Sequence, residues 1–265
     1  MKMRPSKVLR KLRAGEIVNC TKVNFSDPRA FEIPAIAGFD CIWTCQEHIG
    51  TDYRALQEQV MATKAHDCDL LCRVPRGSYS DYIRPLELDA TGIMVPHVMS
   101  AEDARNVVKM TRFQPVGMRP VDGGNADGKY CMVPFEEYLE QANRERFIIL
   151  QIEDYSAMSE LDEIAAVEGY DMLFFGPGDF THSLGLPINF DDSRVQEARL
   201  KIVEAAHKYG KFAGTVGSID NRQELVDMGY QFISLGGNVV VWGNWCKGIV
   251  DASNKQSSKK SGYYK

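Results

Sequence analysis

Short apolar runs alternate with amphipathic stretches along the whole chain. The runs are apolar at consecutive positions, as expected for strands that are buried on both faces of a parallel sheet covered by helices. Eight runs of this kind occur, at 17–23, 40–45, 69–74, 92–96, 147–153, 171–176, 211–216 and 231–236.

The stretches between these runs carry helix signals. One stretch repeats apolar residues every three positions, at Met158, Leu161, Ile164 and Val167. Another begins with Ser100, a residue type favoured as an N-cap. Eight strand–helix units in succession predict a closed (β/α)₈ TIM barrel of the α/β class. An open doubly wound sheet is the competing fold, but no G-x-G-x-x-G motif follows the first run.

Length and composition agree with one domain of this kind. The chain has 265 residues, of which 44% are hydrophobic and 25% charged, and a barrel takes about 250 residues. We therefore expect a single catalytic barrel over residues 1–250, followed by a disordered polar tail at 251–265. Two segments, at 113–134 and 182–193, do not fit the alternation of strand and helix. We expect these insertions to form loops over the site.

The charge balance excludes several classes of partner. Asp and Glu number 36 against 31 Lys and Arg, so we expect no binding to nucleic acid and none to an anionic membrane. No apolar run approaches the roughly 18 residues of a membrane helix, and no signal-peptide core follows the basic start. Seven cysteines, an odd number, indicate a reducing compartment. The sequence thus predicts a soluble cytoplasmic protein.

Two cysteine pairs, Cys41 with Cys45 and Cys68 with Cys72, have a spacing of four residues. Residues four apart in a strand share a face but lie too far apart to bind one metal ion. We therefore interpret these cysteines as small buried side chains rather than metal ligands.

Glu153 and Asp179 stand where the fifth and sixth apolar runs end. In a barrel the carboxyl ends of the strands meet at one face, so both side chains are expected at the mouth. Two carboxylates there could bind one Mg²⁺ or Mn²⁺ ion. Each carboxylate alone could instead be a helix cap. A charge at the end of an apolar strand is costly, however, unless a group of opposite charge lies beside it.

Three further features belong to the same face. Gly176 and Gly178 in "FFGPGDF" permit close approach of a ligand to the backbone, although Gly-Pro-Gly is also an ordinary turn. His48 follows the second run and is either a catalytic group or a surface histidine. Arg73 ends the third run and either binds a substrate oxyanion or forms a structural salt bridge.

The order of these motifs resembles the HpcH/HpaI family of class II, metal-dependent pyruvate aldolases. The resemblance covers residues 15–245 and rests on five motifs in sequence: "EH", "RVP", "GIMVP", "QIE" and "GPGDF". It implies a barrel of the phosphoenolpyruvate/pyruvate-domain type.

The resemblance also implies roles for individual residues. Glu153 and Asp179 would ligate a divalent cation, which in such enzymes is Mg²⁺, Mn²⁺ or Co²⁺. Gln151 would contact the bound 2-oxo acid, and Arg73 would face its 2-oxo oxygen. The backbone amides around Gly178 and Asp179 would hold the substrate carboxylate.

His48 would be the acid/base in this scheme. The acid that orients it falls at Glu87, with Asp89 as the alternative two residues away. The sequence departs from the family at Cys45, where relatives often have Asp, so the family activity cannot be carried over unchanged.

The implied activity is a carbon–carbon lyase that reversibly cleaves a 4-hydroxy-2-oxo acid into pyruvate and an aldehyde through a metal-stabilised enolate. None of these strand-end residues is a lysine, so no Schiff base is expected. The alternatives are a CoA-ester lyase of the citrate-lyase or malyl-CoA type and a catalytically silent 2-oxo acid binder. An apolar C-terminal stretch, "NVVVWGNWCKGIV", and the resemblance together predict a homo-oligomer, a hexamer or trimer of dimers.

Overall fold

Eight parallel strands close into one barrel in sequence order. The computed structural model describes residues 1–260 of the chain. The strands are β1 Val18–Lys22, β2 Cys41–Cys45, β3 Asp69–Arg73, β4 Gly92–Val95, β5 Phe147–Ile152, β6 Met172–Phe175, β7 Phe212–Gly217 and β8 Phe232–Gly237. Each lies on one of the eight predicted runs, so the predicted (β/α)₈ TIM barrel is confirmed.

Helices cover the outside of the barrel. They are α1 Lys7–Arg13, α2 Arg29–Ile36, α3 Tyr53–Lys64, α4 Tyr79–Glu87, α5 Ala101–Thr111, α6 Phe135–Glu145, α7 Leu161–Ala166, α8 Pro177–Ser183, α9 Ser193–Lys208, α10 Arg222–Asp227 and α11 Asn238–Lys260. A 3₁₀ turn, Tyr155–Glu160, precedes α7. Ser100 caps α5 as predicted, since its hydroxyl accepts a hydrogen bond from the Asp103 amide.

The barrel interior is packed with side chains rather than open. Trp43, Phe174 and Phe232 stack edge to face, with ring centroids 5.8 and 6.2 Å apart. Apolar residues of α1 join the same cluster, so this helix closes the amino-terminal end of the barrel. A second and larger core fills the space between the strands and the surrounding helices. Only the carboxyl-terminal end is therefore left for a site.

Buried charges hold the opposite, amino-terminal end together. Arg146 donates to Asp89 and to Asp127, each at 2.7 Å, and all three side chains are at most 1% exposed. Arg119 pairs with Asp127 at 3.2 Å. Burial alone would lower the pKa of Arg146, but the charges of Asp127 and Asp89 raise it above its ordinary value. This network fixes the segment that links α5 to α6.

The prediction that segment 113–134 covers the site is wrong. Helix α5 runs antiparallel to the strands and ends at the amino-terminal face, where the segment starts and where β5 begins after α6. Segment 113–134 therefore lies on the face opposite the mouth. The loop 184–192 follows α8 and belongs to the carboxyl-terminal face, as predicted for 182–193.

The last helix, α11, extends into the segment that was expected to be a disordered tail. It continues to Lys260, so residues 251–260 of the expected disordered tail are helical, and residues 261–265 lie outside the described residues. A Lys247–Asp251 pair at 2.9 Å, one helical turn apart, supports the helix as it leaves the barrel. Across residues 1–260, none of the helices is long and apolar enough to span a membrane.

The two cysteine pairs are buried, as predicted. Cys41, Cys45, Cys68 and Cys72 are free thiols in the strands or at their starts. Burial raises the pKa of the Cys41 and Cys72 thiols well above their ordinary value, which is typical of unreactive structural cysteines.

Candidate active site

Glu153 is a buried carboxylate at the mouth of the barrel. It follows directly on β5, is 1% exposed, and accepts a hydrogen bond from the His97 amide at 3.0 Å. The side-chain amide of Gln151 donates to its other oxygen. Burial raises the pKa of Glu153 to about 7, although the His97 and Arg73 charges act in the opposite direction. The fold therefore holds a carboxylate whose charge is incompletely matched.

His97 brings further donor atoms to the same place. Its Nδ1 lies 2.8 Å from Asp154, and its Nε2 lies 3.7 Å from Glu47 and 3.8 Å from Glu153. Burial alone would lower the pKa of His97, but the Asp154 hydrogen bond and the Glu153 and Glu47 charges raise it. The backbone of His97 has a φ of 51°, which is uncommon outside glycine and turns the imidazole towards the carboxylates.

These groups fit a divalent cation. Single donor atoms of Glu47, His97 and Glu153 all lie within 4.8 Å of one another. The imidazole is held by a carboxylate on its far nitrogen, the arrangement usual for metal-binding histidines. Asp179, in the first turn of α8, is close enough that its charge contributes to the raised pKa of Glu153. A cation would offset the charge that burial leaves unmatched on Glu153.

The sequence leaves room for Glu153 by placing glycine opposite it. A Cβ atom on Gly176 would lie 2.7 Å from an oxygen of Glu153 and 2.8 Å from the Gln151 amide. A Cβ atom on Gly178 would meet nothing within 4 Å. The two glycines of "GPGDF" therefore differ: Gly176 admits the carboxylate, whereas Gly178 faces open space.

Arg73 lies beside this cluster at the end of β3, only 4% exposed. Its Nε and Nη2 donate to the sulphur of Cys45 at 3.3 Å. Nη1 contacts the Gln151 oxygen at 3.5 Å, and Nε lies 2.9 Å from Glu47. Cys45 thus contacts Arg73 through its sulphur, while the opposing charge comes from Glu47.

His48 and Glu87 lie at opposite ends of the barrel. The His48 side chain is 58% exposed, with Nε2 3.4 Å from Glu47. Glu87 ends α4, whose carboxyl terminus points to the amino-terminal face. Burial raises the pKa of Glu87, with Arg119, Asp122 and Asp127 as its nearest charges.

The geometry therefore does not place Glu87 where it could orient His48 within one chain. The alternative, Asp89, is fully buried in the ion cluster with Arg146. Both acids precede β4, and a residue just before a barrel strand lies at the amino-terminal end.

Sequence reasoning missed one charged residue at the mouth. Lys22 is the last residue of β1, and its Nζ lies over the Trp43 ring. Its position one residue before the end of the apolar run 17–23 was the available signal. His97 was recognisable as a polar residue after β4, but its partner Asp154 was not, because that contact joins two different strand ends.

A barrel whose mouth holds a buried carboxylate, an arginine and a carboxylate-bound histidine has the architecture of an enzyme. The chain belongs to the HpcH/HpaI aldolase/citrate lyase family, whose model matches residues 23–243. The resemblance predicted from the five motifs is therefore confirmed. As a member of this family, the chain is a carbon–carbon lyase.

Similar proteins agree with this assignment. The 5-keto-4-deoxy-D-glucarate aldolase of Klebsiella pneumoniae is 30% identical over 231 residues, covering 87% of this chain and 90% of the relative. The 4-hydroxy-2-oxovalerate aldolase of Rhodococcus jostii is 32% identical over 214 residues, covering 79% and 81%. The crystal structure of an HpcH/HpaI aldolase from Desulfitobacterium hafniense superposes with a TM-score of 0.87 at 30% identity, covering 92% and 95%.

Proposed function

We propose that the protein catalyses the reversible aldol cleavage of a 4-hydroxy-2-oxo acid into pyruvate, or a close 2-oxo acid, and an aldehyde. The observation that carries the proposal is the cluster at the mouth, where the buried carboxylate of Glu153 lies within 4.8 Å of donor atoms of Glu47 and His97. Arg73 and Gln151 stand beside it. Relatives named for aldol cleavage of oxo acids support the same reaction class.

The activity is proposed to depend on a divalent cation such as Mg²⁺, Mn²⁺ or Co²⁺. Glu153 and Asp179 would hold it, as the family resemblance implies. Donor atoms of Glu47 and His97 lie within 4.8 Å of one of Glu153, so these two residues are proposed as further ligands. A bound cation would supply Lewis acidity to the 2-oxo group and so make the C3 protons removable. Imidazole in the donor set favours Mn²⁺ or Co²⁺ over Mg²⁺, which prefers oxygen ligands.

The remaining groups bind and orient the 2-oxo acid. Arg73 is proposed to face the 2-oxo oxygen, where negative charge develops in the enolate. Gln151 would contact the same substrate, since its oxygen lies against Arg73 and its nitrogen against Glu153. The amides of Gly178 and Asp179 have no partners within the short helix α8, and they are proposed to donate to the substrate carboxylate.

His48 is proposed to move the proton on and off the aldehyde oxygen. Its imidazole is 58% exposed, and its Nε2 lies 3.4 Å from Glu47. Glu47 also contacts Arg73, so one carboxylate connects the two groups. In this arrangement Glu47, rather than Glu87, is the acid that orients His48 within the chain.

Release of pyruvate from 4-hydroxy-2-oxo acids tests the proposal. Purified protein is incubated with a panel of such acids and with Mn²⁺, Co²⁺ or Mg²⁺, and pyruvate is measured with lactate dehydrogenase. We expect release that EDTA abolishes and that added metal restores. No release from any member of the panel at high protein concentration would refute it.

One observation favours a second candidate, a catalytically silent 2-oxo acid binder. Cys45 stands where relatives often have Asp, and it contacts Arg73 directly. Binding of pyruvate without exchange of its methyl protons would support this reading. A CoA-ester lyase remains the other enzyme class within the family, and cleavage of a CoA ester in place of a 4-hydroxy-2-oxo acid would identify it.

We also propose that the protein is a cytoplasmic homo-oligomer. Helix α11 exposes a row of large apolar side chains, of which Val241, Trp242 and Trp245 are 57–66% exposed. An apolar groove of about 840 Å³ beside it is lined by Phe25, Ile33 and Trp242, among others. So much exposed apolar surface is typical of an interface, and the family resemblance implies a hexamer or trimer of dimers.

A further inference from the structure

Lys22 extends from the end of β1 into the barrel mouth. In the β1–β2 pair it lies opposite Trp43, so both side chains point into the barrel. The Nζ atom lies 4.8 Å from the centroid of the Trp43 ring. The Arg73 guanidinium lies 5.0 Å from the same centroid. Two cationic groups thus share one indole as a wall.

The two cationic side chains differ in their hydrogen-bonding and anionic partners. Arg73 has Glu47 at 2.9 Å and Cys45 and Gln151 as hydrogen-bond partners. Within residues 1–260, the Lys22 ammonium forms no hydrogen bond and no ion pair, and it lies over the Trp43 ring. Burial, followed by repulsion from Arg73, lowers its pKa. Holding a half-buried ammonium without a contacting anion is costly. The charges of Cys45, Glu47 and Asp179 act against that cost, but the pKa of Lys22 is still lowered overall.

The charges nearby do not explain Lys22 as a structural residue. Glu47 is engaged by Arg73. Asp179, whose charge Lys22 also senses, is one of the two proposed ligands of the divalent cation. A bound cation would therefore withdraw Asp179 as a partner of Lys22, which leaves the ammonium available for an anion that the chain does not provide.

We propose that Lys22 is a specificity-determining residue that binds a second carboxylate of the substrate. The carboxylate next to the 2-oxo group is assigned to the amides of Gly178 and Asp179, and the 2-oxo oxygen to Arg73 and the proposed cation. Lys22 would then hold the second carboxylate on the remaining part of the substrate, against the face of Trp43. The inference rests on the proposed function and narrows its substrate class to dicarboxylic 2-oxo acids and their aldol products.

The test compares two ligands of equal chain length that differ in the second carboxylate. 2-Oxoglutarate carries it, whereas 2-oxovalerate ends in a methyl group. Affinities are measured by calorimetry on the Mn²⁺-loaded protein, for the unsubstituted chain and for Lys22→Met, Lys22→Arg and Lys201→Met. The last is the matched control, because Lys201 is an exposed lysine on α9 paired with Glu197.

We expect the unsubstituted protein to bind 2-oxoglutarate more tightly than 2-oxovalerate. Lys22→Met should reduce this preference by roughly 10- to 100-fold, the value of a charge-assisted contact. Lys22→Arg should retain most of it, and Lys201→Met all of it. An unchanged preference in Lys22→Met, or an equal loss for both ligands, would overturn the proposal.

Two further readouts separate this inference from the proposed function. Exchange of pyruvate methyl protons reports the lyase chemistry, so exchange without a Lys22-dependent preference would overturn only the role of Lys22. Borohydride treatment with pyruvate reports whether the amine condenses with the 2-oxo group, with loss of water, to a reducible imine. A stable adduct on Lys22 would make the residue a nucleophile and overturn its assignment as an anion-binding group.

Discussion

Replacing Glu153 with Gln should stabilise the metal-free protein increasingly as the pH rises. Burial moves the pKa of Glu153 from 4.5 to about 7 in the folded protein. Between these two values the folded state keeps a proton that the unfolded chain has released. The free energy of unfolding therefore falls as the pH rises through this window, and the fall is complete above about pH 7.

The size of the effect follows from the shift. A difference of about 2.5 pKa units corresponds to about 3 kcal/mol between the two ends of the window. A glutamine side chain at this position would not ionise, so the variant escapes this loss. It would also lose one hydrogen bond, because its amide cannot accept from both Gln151 and the His97 backbone, but that cost does not depend on pH. The variation with pH is therefore the quantity to measure.

Urea unfolding of EDTA-treated protein at pH 5, 6, 7 and 8 provides the assay. The stability of Glu153→Gln relative to the unsubstituted protein should increase by about 2 to 3 kcal/mol from pH 5 to pH 8. Glu163→Gln, at an exposed position on α7, is the control and should show no such trend. A constant difference for Glu153→Gln across the four pH values would refute the reasoning.

Three other substitutions test separate parts of the structure. Gly176→Ala should weaken Mn²⁺ binding about tenfold or more, since the new methyl group displaces Glu153. Gly178→Ala, whose methyl group would enter open space, should bind Mn²⁺ as before. Calorimetry measures both affinities. His48→Gln should slow aldol cleavage at least about 100-fold with unchanged Mn²⁺ affinity; equal rates would exclude His48 as the acid/base. Arg146→Met should lower the free energy of unfolding by about 3 to 5 kcal/mol, because two buried carboxylates lose their closest cationic partner. A loss no greater than that of the half-exposed Arg144→Met would contradict this.

The strands could be predicted because a barrel buries both faces of each of them. All eight apolar runs coincide with observed strands to within about two residues. The same reasoning placed Glu153, Asp179 and Arg73 at one end, since parallel strands all finish on the same face. The positions of these residues could be predicted from the strand direction alone, without knowledge of side-chain contacts.

Other features depend on information that strand patterns do not contain. Glu87 and segment 113–134 were assigned to the mouth, although Glu87 is the last residue of α4 and the segment follows α5, and both helices run back to the amino-terminal end. The contact between His97 and Asp154 joins residues 57 positions apart and depends on an uncommon backbone conformation at His97. The contacts of Arg73 with the sulphur of Cys45 and with the carboxylate of Glu47 likewise appear only once the side chains are placed.

The family resemblance indicates the class of reaction, whereas the geometry of the mouth shows which side chains this particular chain places there. In this chain the mouth holds two cations on one indole, at Lys22 and Arg73, and a histidine bound by Asp154. We propose that the first arrangement selects the substrate and that the second determines which metal ion is preferred. Both can be tested separately from the aldol reaction itself.

Exchange of deuterium into the methyl group of pyruvate tests the central claim most directly. Pyruvate is incubated in D₂O with the Mn²⁺-loaded protein, the EDTA-treated protein and Glu153→Gln, and exchange is followed by proton NMR after removal of the metal. The account predicts exchange by the loaded protein, none after EDTA, recovery on adding Mn²⁺, and none with Glu153→Gln. Absence of exchange from folded, Mn²⁺-bound protein, or exchange that persists after EDTA treatment, would contradict it.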